Sequence, residues 1–492
     1  MSGRIVDFPG SRDALRVVIA GGGITGLAAA HRLHEVASSL DLPRLEVRVL
    51  EASPRAGGQI RTERVEGLVL EAGADSMIAQ KAAGLALCER LGLGDEVVRL
   101  DCASPSMEVV HRGRLVELPA GFVLLAPSRI GPLLRSHLFS WRGKLRMLAE
   151  PLIPRRPAQV TDESLRSFVT RRLGREAFER AAEPIVAGLY MADADRLSLA
   201  ATMPRFLDLE REHGSLTRAL RRAARARGGS SGTRFLWLRG GMERLVDRLV
   251  AALPPGSVQL GAPIERVTPG AQGERLRVDV SGGESLHADA VILATPGWAA
   301  APLVAETDPT LARDLGTLRY APCATVHLLY RASQLRAPLS SYGFFAPRGA
   351  GQPIVGCSYV SEKFPGRALA DRVLLRVFLG GALDEGVLDR GEDERIAAAH
   401  GALAALLGIE GAPEFARSHG HPRSMPQYDV LDRRRRERIV ERLGAFPGLL
   451  VAGSVCGAVG VPDCIDSGEG AAGRALAHLA TCRATFARIA RA

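Results

Sequence analysis

The chain has 492 residues, 46% of them hydrophobic and 24% charged, which is enough apolar material for two or more packed domains and excludes a disordered chain. Its formal charge of +10 comes almost wholly from arginine; base-rich coding explains such a surplus, and an anionic ligand or an acidic membrane surface would suit it. The uncharged apolar stretches 291–305 and 446–462 are broken by Gly and Pro and are too short to span a bilayer, and the N-terminus carries Arg4, Asp7, Arg12 and Asp13 without an apolar core, so a cytoplasmic location is expected. Seven cysteines form no Cys-x-x-Cys pair and leave one over, the pattern of reduced thiols, and no structural metal is expected. The arginine clusters at 218–227 and 433–438 lack interleaved aromatics; they read as solvated helix faces, with no nucleic acid partner.

The first element is a short apolar run, Val17-Val18-Ile19-Ala20, ending in Gly21-Gly22-Gly23-Ile24-Thr25-Gly26, after which Leu27 onward takes a helical period. Gly21, Gly23 and Gly26 have the Gly-x-Gly-x-x-Gly spacing of a turn that brings a helix N-terminus to a pyrophosphate. A second strand, residues 45–50, ends in Glu51, whose carboxylate can accept adenosine ribose hydroxyls and would repel a 2′-phosphate, favouring FAD or NAD over NADP. The connection between them, 37–44, is longer than usual. After Glu51-Ala52-Ser53-Pro54, the stretch Arg55-Ala56-Gly57-Gly58-Gln59-Ile60-Arg61 makes a second open turn, with Arg55 and Arg61 supplying positive charge where a pyrophosphate would pass.

From 91 to 225 the pattern turns helical, punctuated by Pro119, Pro127, Pro132, Pro151, Pro154 and Pro157, as an inserted domain would be. Its apolar stretches 115–125 and 130–148 carry Arg129, Arg135, Arg142, Lys144 and Arg146; ordinary core helices explain them, and peripheral contact with a bilayer is the other reading. A Gly/Ser-rich linker near 228 leads to an amphipathic helix through Leu245 and Leu249, then alternating strands at 258–260, 264–267 and 276–280 and a buried strand at 288–296. Strands at 325–330, 354–360 and 374–379 give a substrate-domain sheet within 301–415. The final segment, from 416, holds a strand at 449–453, a glycine loop and a helix with Asp463 as N-cap.

The glycine doublet after the acid resembles that of the flavin amine oxidase superfamily, and the resemblance implies FAD. A more selective order follows: Glu183-Pro184-Ile185-Val186-Ala187-Gly188-Leu189-Tyr190-Met191-Ala192-Asp193, then Leu197-Ser198, Met203-Pro204, Glu210 and His213-Gly214-Ser215-Leu216. With Met425-Pro426-Gln427-Tyr428 and Val461-Pro462-Asp463-Cys464-Ile465-Asp466, it resembles the oxygen-dependent porphyrinogen oxidases over nearly the whole chain. The implied architecture is α/β: a Rossmann-like, GR2-type FAD-binding domain (1–90, 226–300, 416–492), a helical substrate or membrane-associated domain (91–225) and an inserted α+β substrate-binding sheet domain (301–415).

What the resemblance implies chemically is the six-electron oxidation of a porphyrinogen in heme biosynthesis, in three hydride transfers to flavin with reoxidation by molecular oxygen to hydrogen peroxide, and hand-over of product to the next heme-pathway enzyme. The cofactor carries that chemistry, so no catalytic side chain is assigned. By family analogy Glu51, Ala52, Gly73, Ser76, Val267, Val459, Gly460 and Val461 contact FAD, with Ala74 and Asp75 inside the same loop, and the last helix points its positive end at the flavin. The chain departs from the family at Ala74, where Pro is common, at Gly457 and Ala458, and at His421, where Trp is frequent. Ser106-Met107-Glu108 stands where protoporphyrinogen-type members carry Arg, which favours coproporphyrinogen III over protoporphyrinogen IX. A flavin amine oxidase or desaturase, and an inactive flavin-bearing porphyrin carrier, stay open at this point.

Overall fold

The computed structural model describes residues 14–39, 45–100, 107–157, 161–226, 235–270 and 275–489; the N-terminal charges, residues 40–44, Cys102, Ser106 and the linker near 228 lie outside them. The nucleotide-binding part is built on five parallel strands in the spatial order Val258–Leu260, Leu45–Glu51, Leu15–Ala20, Ala290–Leu293, Leu449–Val451. The central strands are runs of aliphatic residues, with Val17, Val18, Ile19, Val291 and Ile292 all at 0% exposure, as a parallel sheet covered on both faces requires.

One face is covered by the helix Ile24–Ser39 and the long helix Val461–Ile489. They cross closely: a Cβ on Gly468 would lie 2.2 Å from the Thr25 carbonyl oxygen, so only glycine fits there. Helix Ile24–Ser39 starts inside the glycine turn and takes up part of the long connection read at 37–44. The other face packs on the antiparallel sheet Ile264–Thr268, Leu276–Val280, Glu284–Ala288.

A second sheet has seven strands, in the order Phe415–Gln427, Arg319–Arg331, Arg372–Gly380, Gly356–Tyr359, Gly343–Phe345, Glu108–His111, Arg114–Glu117. Two expectations are corrected by it. Residues 108–117, inside the stretch expected to be helical, form a hairpin whose first strand pairs with Phe344 and Phe345; two four-residue strands are too short to break the helical reading of the stretch around them. Phe415–Gln427, expected to open the last nucleotide-binding segment at 416, instead pairs along the strand Arg319–Arg331 and belongs to this sheet. In that central strand Ala324, Val326 and Leu328 pack on the helix Glu392–Leu407, while the alternate residues Thr325 and His327 are buried against the nucleotide-binding part.

The helical part has its own core around Phe168, Val169, Ala181, Val186 and Leu199. Arg172 and Glu150, both at 0% exposure, pair at its centre; Ser215 Oγ and Thr217 Oγ1 each donate to Glu150 Oε2 at 2.6 Å, and Arg171 donates to Glu210 at 2.7 Å. The Glu210 and Ser215-Leu216 elements of the selective residue order are therefore architectural: they close this network. Of the five cations read as a bilayer face, Lys144 and Arg146 turn inward, Lys144 Nζ donating to the Leu134 carbonyl at 2.7 Å and Arg146 to the Arg171 and Arg172 carbonyls at 2.6 and 3.0 Å. In the 433–438 cluster Arg435 and Arg438 are likewise engaged, with Asp432 and Asp314, so that face is cross-linked and not simply solvated.

Candidate functional site

The site begins where the first strand ends. Gly21, at φ 104°, takes the turn that non-glycine residues avoid, and its N–H donates to the Leu50 carbonyl at 2.8 Å. A Cβ on Gly22 would lie 2.9 Å from that of Glu51, and this closeness lets the Gly22 N–H donate to Glu51 Oε2 at 2.6 Å. The other carboxylate oxygen accepts from Ser53 N–H at 2.9 Å and Ser53 Oγ at 2.7 Å, so the acid is rigidly aimed at the turn. Ala52 beside it is exposed, whereas Ile24, Thr25 and Gly26 begin the buried helix.

The second glycine turn folds back onto the first. Gly57 N–H donates to the Gly22 carbonyl at 2.8 Å, and Gly23 faces Gly57 and Gly58 with no side chain between them. A Cβ on Gly58 would come within 3.3 Å of Gly23 Cα. Beside Gly21, Thr295 Oγ1 is buried and has no hydrogen-bond partner among the described residues. Two glycine turns bridged backbone to backbone, with a fixed carboxylate at one end and an orphaned hydroxyl beside Gly21, fit the pyrophosphate and ribose of a dinucleotide. Thr295 was read from sequence only as the end of a buried strand; the Ala-Thr-Pro step after an aliphatic run was the signal available. Arg55 also braces its own turn: its guanidinium donates to the Ala56 and Ile60 carbonyls at 3.0 Å and to that of Gly58.

The loop 72–76 abuts this turn. A Cβ on Gly73 would lie 1.7 Å from the Gln59 carbonyl oxygen, and Ala72 N–H donates to the Arg61 carbonyl at 3.0 Å. Ala74 packs against the large core, and Ser76 Oγ donates to Asp75 at 2.6 Å. Burial alone would raise the Asp75 pKa, but Lys363 and Arg376 overcome it and hold the carboxyl well below the usual carboxylate range. At the far end Val461–Ile489 begins with Gly460 as its cap. Asp463 sits in the first turn, not at the N-cap as expected, and accepts back from Gly460 N–H at 3.3 Å and from Lys81 Nζ at 2.6 Å. Val459 packs at the edge of the second core. Gly457, where the family pattern is acidic, has φ 96°, a conformation that suits glycine. Val267 is 1% exposed and packs with Val18 and Leu50 under the sheet, so its side chain is enclosed in the core.

A cavity of about 530 Å³ adjoins this region, lined by Arg55, Gly58, Gln59, Arg61 and Ala72 on one side and Arg417, His419 and His421 of the seven-stranded sheet on the other. His421 donates from Nε2 to the Ala72 carbonyl at 2.9 Å; burial, with the neighbouring Arg376, pushes its pKa down to about 4, so the ring is neutral near pH 7. His419 bonds Glu63 at 2.8 Å. Glu108, read as the non-basic substitute for Arg, accepts from Ser341 Oγ at 2.7 Å; its neighbour Ser106 lies outside the described residues. Among the described residues no helix is long and apolar enough to cross a membrane.

The fold and the glycine-walled cleft define a dinucleotide-binding α/β protein. The chain belongs to the flavin containing amine oxidoreductase family, whose model matches residues 24–476. It is 33% identical over 469 residues to a protein of Bacillus subtilis (strain 168) named coproporphyrinogen III oxidase, covering 94% of this chain and 98% of the relative. A protein of the same name from Propionibacterium freudenreichii is 34% identical, over 93% of this chain and 90% of its own. A solved structure from Exiguobacterium sp. 255-15, carrying a provisional protoporphyrinogen oxidase name, superposes with TM-score 0.79 at 29% identity, covering 93% of this chain and 98% of that one.

Proposed function

We propose that this protein is an FAD-dependent, oxygen-dependent oxidase that converts coproporphyrinogen III to coproporphyrin III in heme biosynthesis. The observation that carries the reading is the side-chain-free meeting of the two glycine turns at Gly23 and Gly58, with Glu51 fixed beside them, in a chain related over nine-tenths of its length to two coproporphyrinogen III oxidases. In this reading Gly21, Gly22, Gly23, Ile24, Thr25, Gly26, Gly57 and Gly58 hold the pyrophosphate, Glu51 and Ala52 the adenosine ribose, and Val267 backs the adenosine end. Gln59, Gly73, Ala74, Asp75, Ser76, Val459, Gly460 and Val461 surround the flavin end, with Arg55 bracing the turn and Thr295 added from the structure. When bound, FAD supplies the hydride acceptor for three two-electron rounds and the route of those electrons to oxygen.

The chain's own part is to orient and to exclude water. In this reading the first turn of Val461–Ile489 would present its free N–H groups to the flavin. His421, neutral, keeps Nε2–H on the Ala72 carbonyl, fixing that loop without adding charge. The cavity beside it is where the macrocycle would rest, with Arg55, Arg61 and Arg417 on its walls beside Glu63 and Glu392. The segments 1–90, 226–300 and 416–492 would serve the cofactor, less the strand 415–427, which joins the substrate sheet together with 108–117 from the helical segment. Exposed Trp141, Leu145 and Leu152, near exposed Arg129, Arg135 and Arg142, support peripheral contact with an anionic leaflet, which flotation with phosphatidylglycerol vesicles would detect.

Protoporphyrinogen IX is the second reading, favoured by the name of the solved relative. Oxygen uptake and porphyrin fluorescence measured with each porphyrinogen separate the two. Faster turnover of coproporphyrinogen III is expected; faster turnover of protoporphyrinogen IX installs the second reading, and turnover of neither by flavin-loaded protein rejects both.

A further inference from the structure

The seven-stranded sheet turns buried polar side chains toward the nucleotide-binding part, and they converge on one loop. The Ala72 carbonyl accepts from Thr325 Oγ1 at 3.2 Å, from His421 Nε2 at 2.9 Å and from an Arg376 terminal nitrogen at 3.4 Å. Arg376, only 4% exposed, also donates to the Gly73 carbonyl at 2.5 Å and to Asp75 Oδ2 at 3.1 Å. One guanidinium from the strand Arg372–Gly380 thus fixes three successive features of a loop that belongs to the other part of the molecule. That loop in turn is locked on the turn at Gln59, where a Cβ on Gly73 would lie 1.7 Å from the carbonyl oxygen.

The charges around it do not cancel. Lys363 and Arg376 pair with Asp75 at 3.5 and 3.1 Å and Arg367 pairs with Glu71 at 3.1 Å, so among these five side chains the formal count is three cations to two carboxylates. Arg367 and Arg376 each keep a buried Nε without a hydrogen-bond partner among the described residues. A charge so enclosed is weakly screened, and its field acts on whatever lies against the loop.

We propose that Arg376 is a positioning residue for the flavin: from the neighbouring sheet it sets the shape of the loop 72–76, and it supplies the excess positive charge that favours the reduced, more negative state of the cofactor. The inference rests on the flavin reading above and goes beyond it. Fixed charge placed where negative charge develops stabilises the charged state without reorganisation cost. The loop's shape depends on the guanidinium fork, whereas the potential depends on its charge, so the two effects separate by substitution.

The test compares Arg376→Met, Arg376→Lys and Asp75→Asn in the full-length protein, reading FAD affinity of the stripped protein, the visible circular dichroism of bound flavin, and its midpoint potential. Arg376→Met is expected to weaken FAD binding about tenfold or more and to lower the potential. Arg376→Lys should weaken binding but keep the potential, and Asp75→Asn, which removes a negative charge from the same cluster, should raise it. If Arg376→Met does not fold, an unchanged potential in Arg376→Lys beside a raised one in Asp75→Asn still decides. Potentials that do not move, or that move in the same direction for Arg376→Met and Asp75→Asn, overturn the inference, as does a loss of thermal stability with flavin spectrum and potential unchanged. A wild-type chain that takes up no FAD overturns the flavin reading itself and the inference with it.

Discussion

Gly23 and Gly26 look equivalent in the Gly-x-Gly-x-x-Gly spacing, but the structure separates them. A Cβ on Gly26 would lie 2.0 Å from the Gly21 carbonyl oxygen and 3.2 Å from Ile19 Cγ2, so Gly26→Ala must displace backbone in the densest part of the sheet–helix junction, at a cost of about 1–3 kcal/mol or more. A Cβ on Gly23 would meet nothing nearer than Gly58 Cα at 4.0 Å, an ordinary contact, so Gly23→Ala should change the stability of the flavin-free protein by no more than about 0.5 kcal/mol. The added methyl would instead stand in the cleft assigned to the pyrophosphate. Losing one charge-assisted hydrogen bond there, worth roughly 1.5–3 kcal/mol, weakens FAD binding about ten- to a hundredfold. Thermal melts of the stripped variants, together with FAD titration followed by flavin fluorescence quenching, measure both quantities. Gly23→Ala protein that binds FAD as the wild type does would refute the placement of the pyrophosphate; Gly23→Ala protein as unstable as Gly26→Ala would refute the cleft.

Glu51→Arg removes an acceptor held by Gly22 N–H and both donors of Ser53, and should lower FAD occupancy after purification; unchanged occupancy would detach the ribose from this acid. Arg172→Met leaves Glu150 buried beside Ser215 and Thr217 without its cation and should cost about 3–5 kcal/mol in chemical denaturation, against less than about 1 if the pair contributes nothing. His421 is pushed from the ordinary 6.5 to about 4 on folding, so the unfolded chain takes up the proton first. Stability from this residue is full above about pH 6.5 and is lost as the pH falls toward 4, by roughly 1–3 kcal/mol; His421→Gln should flatten that limb of a denaturation series, and an unaltered slope would exclude the residue as its source.

The nucleotide turn was legible because each of its glycines answers a local demand, such as the φ of 104° at Gly21 or the 2.9 Å approach of Gly22 to Glu51. The parallel strands 15–20, 290–293 and 449–451 were legible because aliphatic residues run through them, and 45–51 and 258–260 because apolar residues alternate with polar ones. The seven-stranded sheet was only half legible. Thr325 and His327 alternate with Ala324 and Val326 as a half-solvated strand would, yet both faces are buried, and nothing local in the sequence says that the polar face meets the loop 72–76. Lys363, Arg367 and Arg376 had no motif to mark them, since their partners Asp75 and Glu71 lie nearly three hundred residues away in the chain. Arg55 was legible as a fixed charge but not as a brace, because the carbonyls of its own turn that it holds leave no mark in the sequence.

The central claim is that a flavin whose pyrophosphate lies against the glycine turns at Gly23 and Gly58 takes electrons directly from a porphyrinogen. Mixing the FAD-loaded protein with coproporphyrinogen III in the absence of oxygen, and following the visible flavin absorption before readmitting air, tests it in one trace. Rapid bleaching, recovery of the oxidised spectrum with air, and growth of porphyrin absorption are predicted. A flavin that stays oxidised with both coproporphyrinogen III and protoporphyrinogen IX would contradict the claim.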